Sequence, residues 1–75
     1  MHFIEMHGRN LFKLISPDEI KPEDLEAAGV RSDSLIRVNP QGDIELRKRH
    51  KWEIIGGLIG DFEERVRHET GLDWA

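Results

Sequence analysis

Ser34 to Arg47 reads SLIRVNPQGDIELR, and this stretch specifies a β-hairpin almost residue by residue. Pro40 suits the first central position of a type I turn, and Gly42 supplies the positive φ that a three-residue loop with a G1 bulge requires. Asn39, preceding the proline, is held toward the β region. With Pro40, Gln41 and Gly42 in the loop, Val38 stands opposite Ile44, Arg37 opposite Glu45 and Ile36 opposite Leu46. Both apolar pairs then share one face and the charge pair takes the other, so turn chemistry, register and alternation agree.

N-terminal to this hairpin, residues 3–15, FIEMHGRNLFKLI, read as a first hairpin looping through Gly8-Arg9-Asn10. Met6 then meets Phe12, Ile4 meets Leu14, and Glu5 lies opposite Lys13. Ser16 with Glu19 three residues on is a capping box with Pro17 suited to the first turn, but Pro22 ends that turn and restarts a short helix, Pro22 to Ala28. Glu23 and Asp24 complement its positive end, Gly29 is a natural C′ residue, and Val30 packs back on Leu25 in the manner of a Schellman ending.

On the other side, Trp52, Ile55, Ile59, Phe62 and Val66 fall three, four, three and four apart, one stripe of a helix ended by Gly71 with Leu72 packing toward Val66. Asp61 to Arg65, Glu63 to Arg67 and Glu64 to His68 are acid-first i, i+4 pairs on the opposite surface, each worth ~0.2–0.5 kcal/mol. Gly56, Gly57 and Gly60 each cost about 1 kcal/mol relative to Ala inside a helix. Two placements follow: a helix from near Gly57 after an extended Trp52 to Ile55, or one from near Lys51 whose glycines allow another helix to approach. The second is preferred, on the spacing of Gly56 and Gly60.

Seventy-five residues make a single domain, residues 1–75, whose monomeric core is marginal in size, and the chain has no cysteine with which to reinforce it. Tight packing or self-association is the expected stabiliser, and a homodimer is the expected state. No apolar run reaches the ~20 residues needed to span a bilayer, so a cytoplasmic protein without membrane contact is expected. The formal net charge is −4, yet Arg47-Lys48-Arg49-His50-Lys51 gathers four of the eleven Lys and Arg into five positions. Such a run is either a solvated connector or a phosphate-binding patch.

Catalytic patterns are missing: no cysteine nucleophile, GxSxG, HExxH or P-loop, and the four histidines lack metal-ligand spacing. No enzyme activity, cofactor or metal is expected.

From Gly8 to Arg47 the chain resembles the SpoVT/AbrB-like swapped-hairpin family of small dimeric DNA-binding regulators, which includes MazE-type and VapB-type antitoxins. The resemblance rests on Gly8-Arg9 followed by an apolar strand, a proline opening a short acidic-start helix, Leu25 followed by Gly29-Val30, and the hairpin of Ile36, Val38, Gly42, Ile44 and Leu46. It implies DNA binding with Arg9 as a contact, and a C-terminal tail, here ending Asp73-Trp74, that grips a protein partner.

The reading is therefore an α+β domain ordered ββαββα, with two β-hairpins packed against a C-terminal helix. The expected function is a small homodimeric DNA-binding transcription regulator, of which an antitoxin-like protein is one form, contacting phosphates through Arg9, Arg47, Lys48, Arg49 and Lys51. The alternative is a protein-interaction module with no nucleic-acid role, anchored by Trp52, Ile55, Ile59, Phe62 and Trp74 on the apolar face of the C-terminal helix.

Overall fold

The computed structural model describes residues 2–74. Its elements are β1 (Ile4–His7), α1 (Gly8–Leu14), α2 (Pro22–Ala27), β2 (Leu35–Val38), β3 (Asp43–Lys48), β4 (Lys51–Gly57) and α3 (Phe62–Thr70). The chain is α+β, ordered β-α-α-β-β-β-α and not ββαββα, around a four-stranded antiparallel sheet of order β1-β2-β3-β4.

The hairpin of β2 and β3 has the expected register, Ile36 to Leu46, Arg37 to Glu45 and Val38 to Ile44. Gly42 takes φ +91°, and the Asn39 side chain secures the loop by accepting from the Gln41 and Asp43 amides at 3.0 and 2.9 Å. A Cβ on Gly42 would stand 2.6 Å from the Leu58 carbonyl oxygen, so backbone conformation and neighbouring chain both demand glycine here.

Residues 3–15 do not form a hairpin. Ile4–His7 is a strand, but it pairs with β2, Ile4 to Val38 through His7 to Leu35, and the chain turns at once into α1. Leu11 and Leu14, three apart, both enter the core from this helix. The Asn10 carboxamide accepts the His7 amide at 3.1 Å, and the amides of Gly8 and Arg9 donate to the carbonyls of Ser34 and Ser32. Three of the orphan donors around the start of α1 thereby find partners, two of them remote in sequence. Gly8 is required by a close approach and not by a turn, since a Cβ there would lie 1.9 Å from the Arg31 carbonyl oxygen.

Pro22–Ala27 is helical, and its end is the Schellman arrangement: Val30 N–H donates to the Leu25 carbonyl, Gly29 N–H to that of Glu26, both at 3.0 Å, with Gly29 at φ +103°. Half of the expected capping box forms: Ser16 N–H donates to Glu19 Oε1 at 2.8 Å, but the Ser16 hydroxyl accepts the Asp18 amide while Glu19 N–H goes to the Ser16 carbonyl, so the pair closes a turn and starts no continuous helix.

The helix expected from Lys51 is replaced by β4, with α3 beginning only at Phe62. Three glycines in ten residues outweigh the apolar spacing, whereas Trp52, Ile54 and Ile55 suit a pleated strand. Ile55 is the extra residue of a bulge, since Glu45 pairs with Ile54 and Ile44 with Gly56. Beyond it Gly56 faces inward, where Ile20 packs on the space a side chain would fill.

The inner face of the sheet supplies Ile4, Met6, Ile36, Val38, Ile44 and Leu46, all buried, and the helices cover this face with Leu11, Leu14, Leu25 and Val66. Gly71 ends α3 at φ +74°. Leu72, expected to pack toward Val66, is half exposed. Trp74 packs instead, its ring edge-on to Phe62 and its Nε1 donating to the Val38 carbonyl at 2.9 Å. Of the three expected helix-face pairs, Asp61 with Arg65 is formed, while Arg67 turns to Asp73.

Arg65 is the polar anchor of this packing. Its guanidinium meets the Glu19 carboxylate in two parallel bonds of 2.8 and 2.7 Å and also donates to Asp61 and to the carbonyls of Leu14 and Ile59. Glu19 further accepts the amides of Ser16 and Ile59, so one ion pair joins α3 to the segments on either side of it in space. Burial alone would raise the Glu19 pKa, but the hydrogen bonds from Arg65, Ile59 and Ser16 and the Arg65 charge outweigh it and hold the carboxyl below its usual range. The bond to Glu19 correspondingly raises the Arg65 pKa.

Candidate nucleic-acid interface

With the helices on one face, the register lays out the other. Glu5, Arg37, Glu45 and Ile54 form one row across the four strands, and extending the β2–β3 register by one residue sets Leu35 beside Arg47, so that His7, Leu35, Arg47 and Trp52 form the next. At its centre the Arg37 guanidinium sits 3.8 Å from the Phe3 ring centroid and 4.4 Å from that of Trp52, while bonding Glu45 at 2.9 Å. Arg47 approaches the Trp52 ring at 5.5 Å. These cation–π contacts fix an aromatic pair and two cations in one patch. Leu35 and Ile54 flank it, 46% and 66% exposed.

The row that begins at His7 lies next to the tip of the β3–β4 hairpin. Lys48 pairs with Lys51, leaving Arg49 and His50 as a two-residue turn. Arg49 takes φ +50°, the only non-glycine residue with positive φ among the described residues. That conformation is uncommon for a residue with a Cβ. It brings the whole run to one projecting end: Arg47, Arg49, His50 and Lys51 are exposed, and Lys48 is held by Glu53 at 3.0 Å.

Arg9, at the start of α1, is exposed and donates to the Ser32 carbonyl. Because His7 ends β1 beside Leu35 while Arg47 and Trp52 lie farther along the same row, Arg9 stands at the same end of the sheet as the tip. Two to three strand spacings, roughly 10–15 Å, separate them laterally. The candidate phosphate contacts are thus gathered at one end of the molecule.

Chain comparisons with protein-family models, curated proteins and solved structures find no match. The site therefore rests on its own geometry.

The candidate partner anchors are dispersed. Phe62 and Trp74 pack on the core from α3 and the segment after it, Ile55 packs there from the β4 bulge, Ile59 is exposed after β4, and Trp52 lies on the open sheet face. No single helix face carries all five. Among the described residues no group of three potential metal ligands occurs, and no helix is long and apolar enough to cross a membrane. Sequence reasoning missed the Phe3–Arg37–Trp52 stack. The facing of Arg37 and Glu45 was legible, but the two rings join them only once β1 pairs with β2 and residues 51–57 form a strand.

Proposed function

We propose that this chain is a small duplex-DNA-binding protein whose contact element is the basic β3–β4 hairpin tip, acting in the regulator class expected from its sequence. The observation that carries this is the two-residue turn, which presents Arg49, His50 and Lys51 together beyond the sheet while Arg47 continues the positive surface onto the open face. A two-stranded β-ribbon is narrow enough to enter the DNA major groove. Its cations meet phosphates on the flanking backbone, and Arg9 reaches the same side. The acidic remainder of the chain opposes unspecific wrapping and leaves the tip as the point of attraction.

The test is the salt dependence of binding. Log affinity for a short duplex should fall linearly with log salt, at about −0.9 per phosphate neutralised. Replacing Arg49 and Lys51 by alanine should flatten the slope by roughly two units per tip. Thermal unfolding of the same variant establishes that the fold persists. A folded protein without measurable DNA affinity at low salt refutes the function.

A further inference from the structure

The sheet ends at β4, and among the described residues no segment is hydrogen-bonded along its outer edge. Natural sheets blunt such an edge with shortness, charge or a bulge. Here the strand is seven residues long, and the bulge begins only at Ile55, leaving Lys51 to Ile54 regular. Ile54, 66% exposed, is the most exposed large apolar side chain of the described residues.

The charges on this edge define what fits it. Lys51 and Glu53 stand one residue on either side of Trp52, on the opposite sheet face from its ring. An antiparallel copy of the same strand, related by a twofold axis at Trp52, places Lys51 against Glu53 of the partner subunit and Glu53 against Lys51 of the partner subunit. An axis at Glu53 would oppose two glutamates, which is destabilising, and an axis at Ile54 would run both bulges into the seam. Only the Trp52 register is both regular and complementary.

We propose that a second copy of this chain pairs with β4 in that register, joining two sheets of four strands into one of eight. The exposed Ile54 then lies beside the partner's His50, and both Trp52 rings share the open face. The seam is short, which places the dimer among weak, transient associations. Its consequence rests on the DNA-binding reading: each tip lies two to three residues from the axis, so the two basic tips stand roughly 17 Å apart. Their mutual repulsion weakens the free dimer and is relieved by a phosphate backbone lying across both. Duplex DNA therefore strengthens association, and association strengthens DNA binding by the same factor.

Charge reversal tests the register, since neither Lys51 nor Glu53 lies in the core; Glu53 also holds Lys48 at 3.0 Å, and in the exchanged pair the carboxylate introduced at position 51 faces Lys48 across the β3–β4 pair in its place. Sedimentation without DNA, in salt high enough to screen the tips, should show reversible dimerisation of the wild type at high micromolar concentration. Lys51→Glu should weaken it about tenfold by opposing two carboxylates twice per dimer, and Lys51→Glu with Glu53→Lys should restore it. Circular dichroism and thermal unfolding of each variant separate these effects from misfolding. A wild type that stays monomeric, or a double variant no better than the single one, overturns the proposal. A wild type that binds DNA yet stays monomeric throughout would overturn the pairing and leave the proposed function standing, whereas a wild-type dimer without DNA affinity would do the reverse.

Discussion

Replacing Glu19 by glutamine tests the polar anchor of the fold with almost no change of shape. The carboxylate takes four donors, the Ser16 amide and one Arg65 nitrogen on Oε1, and the Ile59 amide and the other Arg65 nitrogen on Oε2. Glutamine offers one oxygen, so its NH2 must face two donors whichever way it turns. The Glu19 side chain is 2% exposed, which leaves a backbone amide unsatisfied, whereas Arg65 at 24% recovers part of its loss from water. An unsatisfied buried donor costs about 1–3 kcal/mol, and a weakened charge-assisted pair adds to it, for a total of about 2–4 kcal/mol. A domain of this size holds about 4–11 kcal/mol in all. Urea unfolding at neutral pH should therefore show a large fall in midpoint for Glu19→Gln and a much smaller one, under about 1 kcal/mol, for Glu23→Gln, whose exposed side chain only complements the start of α2.

The sign of the pH dependence is fixed by the lowered Glu19 pKa. A carboxyl whose folded pKa lies below its unfolded value of about 4.3 contributes fully above that value and loses its contribution as pH falls through the folded pKa. The stability gap between wild type and Glu19→Gln should stay level from neutral pH down to about 5 and close in more acid solution. A gap under about 0.5 kcal/mol, the range of ordinary surface substitutions, or one that fails to close in acid, would refute the account of this ion pair.

Two glycine substitutions probe close approaches. Gly42→Val should destabilise by more than ~2 kcal/mol in chemical denaturation, since a β-branched residue meets both positive φ and the Leu58 carbonyl, while Gln41→Ala should be nearly silent. Gly8→Ala, which in an unobstructed helix gains ~1 kcal/mol, should here cost ~3 kcal/mol or more, because the Arg31 carbonyl occupies the place of the methyl group. A stabilised Gly8→Ala protein would mean that α1 does not lie against residues 31–34.

What the sequence determined by itself was local. The β2–β3 hairpin was legible to the residue because turn chemistry and alternation act over neighbours a few positions apart, and Gly42 and the facing of Arg37 with Glu45 were both read in place. The Pro22 helix and its Gly29-Val30 ending were equally local. Tertiary structure decided the rest. Leu11, Phe12 and Leu14 are compatible with either period, and residues 8–14 became helical because the carbonyls of Ser32 and Ser34 receive the amides of Arg9 and Gly8 while the inner sheet face receives Leu11 and Leu14. The stripe from Trp52 to Val66 fitted a helix in spacing, but β3 offered an unpaired edge that a Gly-rich, β-branched segment fills at less conformational cost. The basic run was visible as composition. Its presentation at a hairpin tip, at the same end of the sheet as Arg9, depends on pairings between residues that a linear reading places far apart.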